Sequence, residues 1–243
     1  MQLALLAVIP SVLATSILSG IFGMGGGMLL MGVMAGLLPV DAAMILHGTT
    51  QLAANGSRAL FLRRHACGRV LGWLALGAAA GAAAMIGLAV RADRATVLVV
   101  LGAVPLVVAL LPRRWMPSVS SPAVAVACGA VVISTQLLAG ASGPLLDVFF
   151  VNAGLNRYQV VATKAAFQSV GHALKIVYYG VLVGSGARML PLWAYPAVVI
   201  VAVIGTRLGH RVLKRLPEAG FRRWSTRLVV AIATVFLVRG IAA

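Results

Sequence analysis

Apolar runs divided by short glycine-, proline- or arginine-bearing breaks cover almost the whole chain, and two of those runs carry the same polar positions. The runs predict helices over 3–22, 28–38, 41–62, 69–90 and 95–111, then over 122–139, 144–154, 157–183, 189–212 and 224–242. Several approach the length of about 20 residues that a helix needs to cross a bilayer. The second run in each group of five is short. At 1.5 Å per residue, 28–38 and 144–154 each span only about 16 Å. Each is therefore a half-helix, a re-entrant segment or a steeply packed short crossing, and must be enclosed by protein.

In the run 41–62 the polar positions are His47, Gln51, Asn55 and Arg58. They recur 117 residues later as Lys164, Gln168, His172 and Lys175. The spacing i, i+4, i+8, i+11 sets all four on one face of a helix. Each ladder follows a glycine-rich break at the same offset, Gly23-Met24-Gly25-Gly26-Gly27 and Gly140-Ala141-Ser142-Gly143. Polar side chains at membrane depth are costly and mark a pathway or a site. A duplicated set implies a pore or carrier built from two related halves, 1–111 and 123–243, joined by a linker at 112–122. That linker is too short and too polar to cross the membrane.

Composition confirms the solvent. Hydrophobic residues make up 61% of the 243 and charged residues 10%, with mean hydropathy +1.04; a soluble domain carries roughly a quarter charged residues. The chain reads as an all-α polytopic membrane protein with 8–10 membrane segments. Its net charge of +16 would suggest nucleic acid in a soluble protein. Here the arginines cluster in short connections, which argues against nucleic acid and for anionic lipid at the cytoplasmic surface. Two cysteines, Cys67 and Cys128, exclude a disulfide framework. The apolar N-terminus lacks the basic flank of a signal peptide and reads as the first membrane helix.

Charge placement also orients the chain. With the linker and the connection 213–223 on the cytoplasmic side and ten alternating crossings, that side holds Arg63, Arg64, Arg69, Arg113, Arg114, Arg157, Lys214, Arg215, Arg222 and Arg223. The opposite side holds Arg91, Arg94, Arg188 and Arg239. The basic connection follows the ladder helix in the first half and the next helix in the second. Five crossings per half make an inverted repeat, and the charges exchange loops accordingly. Re-entrant short segments would instead give four crossings and a parallel repeat.

Consecutive glycines unwind a helix, and the N-terminus of the next segment then offers free N–H groups and a positive dipole end to an anion. The alternative at each break is a tight turn between packed helices. Ser142 adds a hydroxyl donor, and Pro144 suits a first helical position. Of the ladder cations, Lys164 and Lys175 lie too deep to reach the interface by snorkelling, whereas Arg58 is close enough to do so. His47 and His172 are either hydrogen-bonded structural groups or groups that bind an anion or a proton. Arg58, Lys164 and Lys175 face one deep acid, Asp147, which either pairs with Lys164 or, like His172, takes a coupling proton. A cationic cavity in low dielectric is costly unless an anion occupies it, so the ligand expected is a small anion. Met24, Met28, Met31 and Met34 read as packing, as do Gly77-xxx-Gly81 and Gly205-xxx-Gly209.

The stretch Gly20-Ile-Phe-Gly-Met-Gly-Gly-Gly27, and above all Gly140-Ala-Ser-Gly-Pro-Leu-Leu146 with Ala162-Thr-Lys-Ala165, His172 and Lys175, resembles the sulfite exporter TauE/SafE family. The resemblance spans roughly 17–90 and 133–215. It implies a permease of the bacterial inner membrane for small sulfur-containing or carboxylated anions such as sulfite or sulfoacetate, often proton-linked, with no cofactor. The matching positions are Gly25, Gly26, Gly27, Gly140, Ser142, Gly143, Pro144, Thr163, Lys164, His172 and Lys175. Gly32 and Asp147 depart from the family pattern, which loosens the inference to any one substrate.

The expected function is thus secondary transport of a small sulfur anion by alternating access. An anion channel of the same fold is the alternative. An enzyme is disfavoured, because no Ser/His/Asp set, His-Glu metal motif or carboxylate pair appears. Substrate contact is expected from the glycine breaks, Ser142, Thr163 and all eight ladder positions. Self-association into a homo-oligomer stays open.

Overall fold

The computed structural model describes residues 2–22, 25–182, 190–213 and 218–242. Among the described residues the chain forms ten α-helices and no strand: α1 (Gln2–Phe22), α2 (Gly26–Leu37), α3 (Val40–Phe61), α4 (Gly68–Gly87), α5 (Arg94–Leu110), α6 (Pro122–Ala139), α7 (Gly143–Phe150), α8 (Arg157–Val177), α9 (Ala194–Leu213) and α10 (Glu218–Ile241). Each helix answers one of the expected apolar runs. The repeat is kept in the element starts, since Gly26 and Gly143, like Val40 and Arg157, stand 117 residues apart.

Several limits differ from the sequence pattern: α4 stops at Gly87 rather than 90, α9 starts at Ala194 rather than 189, and α10 starts at Glu218 rather than 224. α7 ends at Phe150 rather than running on to 154, because the following residues are used otherwise. Gly154 adopts φ 66°, and Asn156 opens α8 with a capping box completed by Gln159, which satisfies the first N–H groups of that helix. α8 in turn relaxes into a π-helical turn, Tyr178–Leu182. Residues 183–189, on which the end of one expected run and the start of another fall, lie outside the described residues, as do Gly23, Met24, Lys214 and Arg215.

The helices pack chiefly as four pairs: α1 with α9, α4 with α6, α5 with α10, and α3 with α8. Relabelling α1–α5 as α6–α10 turns the first pair into the second and returns the other two to themselves. The pattern of packing is therefore unchanged when the two groups of five helices are exchanged. Direction follows from the glycine contacts. Gly48 faces Ile176 while Gly56 faces Ser169, so α3 and α8 are antiparallel. Gly102 meets Ala233 and Leu237 while Gly240 meets Leu98 and Val99, so α5 and α10 are antiparallel too. In α9, Gly205 meets Leu13 and Ser16 and Gly209 meets Ile17 and Gly20, so α1 and α9 run parallel.

These are backbone-to-backbone approaches. A Cβ on Gly77 would overlap the Val126 carbonyl, and one on Gly81 would press on Ala130. The small-residue pairs in α4 and α9 thus serve packing within the chain.

Hydrogen bonds gather the connections at two ends. At one end, Ser118 Oγ donates to Asn152 O (2.9 Å) and Ser120 Oγ to Ala153 O (2.7 Å), while Asn152 Nδ2 donates to Arg113 O (2.9 Å) and Met116 O (3.1 Å). The connection after α3 lies there as well, with Cys67 N donating to Thr163 Oγ1 (2.9 Å) and His65 5.4 Å from Tyr158. At the other end Tyr178 Oη donates to Met85 O (3.0 Å) and Val90 O (2.7 Å).

α1, α4 and α6 are long and apolar enough to cross a membrane on their own. α3 and α8 carry the polar ladders and are sheltered between the others. Leu13, Leu76, Val131, Ile200, Leu208 and Val235 are exposed on the outer surface, an apolar coat suited to hydrocarbon. The fold is that of a multi-pass helical membrane protein.

Candidate functional site

α2 and α7 meet α3 and α8 through their N-terminal ends. Neither short helix has a side-chain cap, so N–H groups of their first turns are left for another partner. Gly25 caps α2 at φ 81°, a left-handed conformation that a side chain would strain. Its counterpart at the start of α7 is Ser142, whose hydroxyl donates to Gln136 Oε1 at 2.9 Å.

Between these ends lies a cavity of about 40 Å³, room for a few waters or one small polyatomic anion. Its wall includes Gly25, Gly27 and Met28 from the first break, and Ser142, Gly143 and Pro144 from the second. His47, Gln51, Asn55 and Arg58 line it from α3, and Lys164, Gln168 and His172 from α8. Seven of the eight ladder side chains therefore share one space. Arg58 is turned into it rather than out to the interface.

The antiparallel crossing pairs the ends of the ladders. The first position of one meets the last position of the other: His47 meets Lys175 and, at the opposite end, Lys164 meets Arg58. Lys164 forms an ion pair with Asp147 of α7, and their side chains are 18% and 16% exposed. Asp147 thus supplies negative charge to the cavity wall opposite Arg58, so the expected cationic cavity is partly compensated. His172 is 3% exposed and its Nδ1 has no hydrogen-bond partner; its ring stands edge-on to His47 at 5.6 Å.

Lys175 is the ladder residue that the cavity does not receive. It is fully buried behind the wall, with Nζ donating to Gly140 O at 2.7 Å and 2.7 Å from His47 Nδ1. Thr163, also fully buried, is spent on the Cys67 amide. Gly26 sits against Ser19 and Thr15 of α1, and Gly140, at φ 80°, against the sulfur atoms of Met31 and Met44. These positions build the site without lining it. Met31 and Met34 are wholly buried packing residues, while Met28 packs and also touches the cavity.

Ser19 lines the cavity without having been singled out, and Gln136 backs it through Ser142. The signal existed: Ser19 and Gln136 are themselves 117 residues apart, so the polar repeat extends one helix further back. A serine and a glutamine in apolar runs look unrelated until that offset is applied to them. Among the described residues no cluster of His, Cys, Asp or Glu is arranged to hold a metal.

The site is therefore a small polar chamber between two uncapped helix ends, with a guanidinium, a carboxylate-paired ammonium, three side-chain amides and two buried imidazoles on its walls. Its donors outnumber its acceptors, which suits an oxyanion. Compared with known proteins, the chain matches the family model described as sulfite exporter TauE/SafE over residues 8–236. No curated protein matches it, and no solved structure does.

Proposed function

The chain belongs to the sulfite exporter TauE/SafE family, a family of membrane transporters for sulfur anions, and from that premise we propose that it moves a small sulfur oxyanion or sulfonate, such as sulfite or sulfoacetate, across the bacterial inner membrane by alternating access. The observation that carries this reading is the chamber shared by both halves. Arg58 and Lys164 give the anion charge, the amides of Gly25, Gly27 and Gly143 give it backbone donors, and Gln51, Gln168, Asn55, His172 and Ser142 orient it. Interactions of this kind are strong because donors at helix N-termini are already aimed.

An inverted repeat supplies the motion, since two halves of opposite orientation can rock about a site at their common axis. Two observations support inversion. The equivalent helices α3 and α8 are antiparallel, as are α5 and α10. The linker before α6 is hydrogen-bonded to the residues after α7, so α6 and α7 together return the chain to the face it left. Three further helices follow, giving each half an odd number of traverses. Arg63, Arg64, Arg113, Arg114 and Arg157 belong to connections at that same end, which makes it cytoplasmic by the positive-inside rule.

Counterflow in proteoliposomes tests the proposal. Vesicles loaded with unlabelled sulfite should transiently accumulate labelled sulfite, and Arg58→Ala and Lys164→Ala should each lower that exchange by tenfold or more, a loss of about 1.4 kcal/mol or greater in binding. Labelled sulfite that merely equilibrates indicates a channel of the same fold. Unaltered exchange and affinity in both variants would sink the assignment of the site.

A further inference from the structure

At one edge of the anion chamber, which His47 lines and Lys175 does not, the two halves are joined through a buried pair of side chains. His47 Nε2 lies 2.8 Å from Gly27 O, His47 Nδ1 lies 2.7 Å from Lys175 Nζ, and Lys175 donates to Gly140 O at 2.7 Å. The chain of bonds thus runs from the carbonyl of one glycine break to the carbonyl of the other. Both side chains are 0% exposed. A carbonyl only accepts, so Nε2 carries the ring hydrogen and Nδ1 is the acceptor of a neutral imidazole. Lys175 then donates to two acceptors. An ammonium has three N–H bonds and an amine two, so both hydrogen bonds survive the loss of one proton. Charge changes while geometry need not.

The 117-residue repeat supplies a comparison within the same molecule. It carries His47 onto Lys164 and Lys175 onto Arg58. At that second end the guanidinium stays charged under all conditions, and the ammonium is held by the Asp147 carboxylate. One end of the crossed ladders therefore carries a guanidinium and a carboxylate-paired ammonium and lines the chamber. The other is a pair that holds one exchangeable proton, with His47 on the chamber wall and Lys175 buried behind it.

We propose that His47 and Lys175 form the proton-binding site of this carrier, so that the coupling proton sits on this pair rather than on Asp147 or His172. This rests on the transporter reading given above. The proton adds to the Lys175 amine from water on one side and leaves from the same nitrogen on the other; no bond other than N–H forms or breaks. With the proton on, the Nζ···Nδ1 bond is charge-assisted and ties α3 of one half to α8 of the other. With it off, the bond is between neutral groups and parts more easily as the halves rock. His172 connects the pair to the anion, since it lines the chamber and stands edge-on to His47.

The surrounding titratable groups are few. His172 faces the pair from α8; just beyond α8 Tyr178 gives its hydroxyl to Met85 O and Val90 O and Tyr179 its own to Leu137 O at 2.7 Å, and α3 carries Asp41 in its first turn. Among the described residues α2 and α6 bring no ionisable residue against it other than the distant thiol of Cys128, α9 carries Tyr195 and the exposed Arg207 and Arg211, and Arg58, Lys164 and Asp147 stand across the chamber.

The test counts protons per sulfite in proteoliposomes, reading labelled sulfite and a luminal pH dye together. Because the readout is a ratio, a slow variant is as informative as a fast one, and the bisulfite–sulfite equilibrium contributes equally to all. Lys175→Met, and Lys175→Arg with its fixed charge, should each lower the ratio by about one proton per anion. An unchanged ratio in both would overturn the proposal. If neither variant transports, proton uptake or release on sulfite binding is measured in weakly buffered detergent. A change in wild type that is lost in Lys175→Arg supports the site, and equal values in the two proteins overturn it. Absence of sulfite exchange in wild type is a separate result and speaks against the transporter reading itself.

Discussion

Replacing Asp147 with asparagine should loosen the protein and tighten its hold on the anion, and the two effects have opposite signs for one electrostatic reason. In the free protein Asp147 is the counter-ion of Lys164, with the two side chains 16% and 18% exposed. Breaking a fully buried pair costs about 3–5 kcal/mol; discounted for solvent screening, about 1–2 kcal/mol is the expected loss of stability here. With the anion bound, the same carboxylate is a like charge on the wall of a chamber of about 40 Å³. At a separation of about 6 Å and an effective dielectric near 20, two unit charges repel by about 3 kcal/mol. Screening and relaxation leave roughly half of that, so Asp147→Asn should bind sulfite about tenfold more tightly. Thermal unfolding in detergent, titrated with sulfite, reads both effects, because a ligand stabilises in proportion to the logarithm of its concentration over Kd. The variant should melt lower without sulfite and begin its rise at about tenfold lower sulfite than wild type. A lower melting temperature with unchanged or weaker sulfite affinity would refute the reasoning, since it would mean that anion and carboxylate do not compete for Lys164.

Gly77→Val should destabilise the protein by about 3 kcal/mol or more, because the added side chain meets the Val126 carbonyl rather than a movable side chain; Gly72→Ala, on the same helix with nothing within 4 Å, should be neutral or stabilise by up to about 1 kcal/mol. Equal melting temperatures for the two variants would contradict the packing of α4 on α6. Asp93 caps α5 by accepting from Thr96 N at 2.8 Å, and its hydrogen bonds with Thr96 hold its carboxyl below the usual range. A depressed folded-state value means that the cap stabilises above the ordinary carboxyl pKa of about 4 and is lost as pH falls through the folded value. The deficit of Asp93→Ala against wild type should therefore narrow in acid; a deficit constant from neutral pH downward counts against a charged cap.

Most of the element order was legible because hydrocarbon is a demanding solvent. Ten apolar runs correspond to ten helices, and the glycine breaks to the starts of α2 and α7. Hydropathy could not locate the end of α7. Residues 151–154 are apolar enough to continue it, but Asn152 is committed to the linker carbonyls and Asn156 to the cap of α8. Such commitments are tertiary or specific to the next element, and no period of apolar residues encodes them.

The ladders show the same division at the level of function. That eight polar residues on two helices form one face is a property of helical spacing, and it needs no structure. Which residue meets which depends on the sense of the crossing. Parallel helices would have set His47 beside Lys164 and Arg58 beside Lys175, giving one purely guanidinium–ammonium end. The antiparallel crossing exchanges those partners. It leaves Arg58 and Lys164 together, where Asp147 of α7 neutralises part of the charge, and brings the remaining ammonium to a histidine with an acceptor nitrogen to offer. Either sense pairs one lysine with Arg58 and the other with His47; the antiparallel one decides that Lys164, within reach of Asp147, is the lysine at the guanidinium end. The carboxylate-held end lies on the chamber wall, and at the other end His47 reaches that wall while Lys175 is buried behind it.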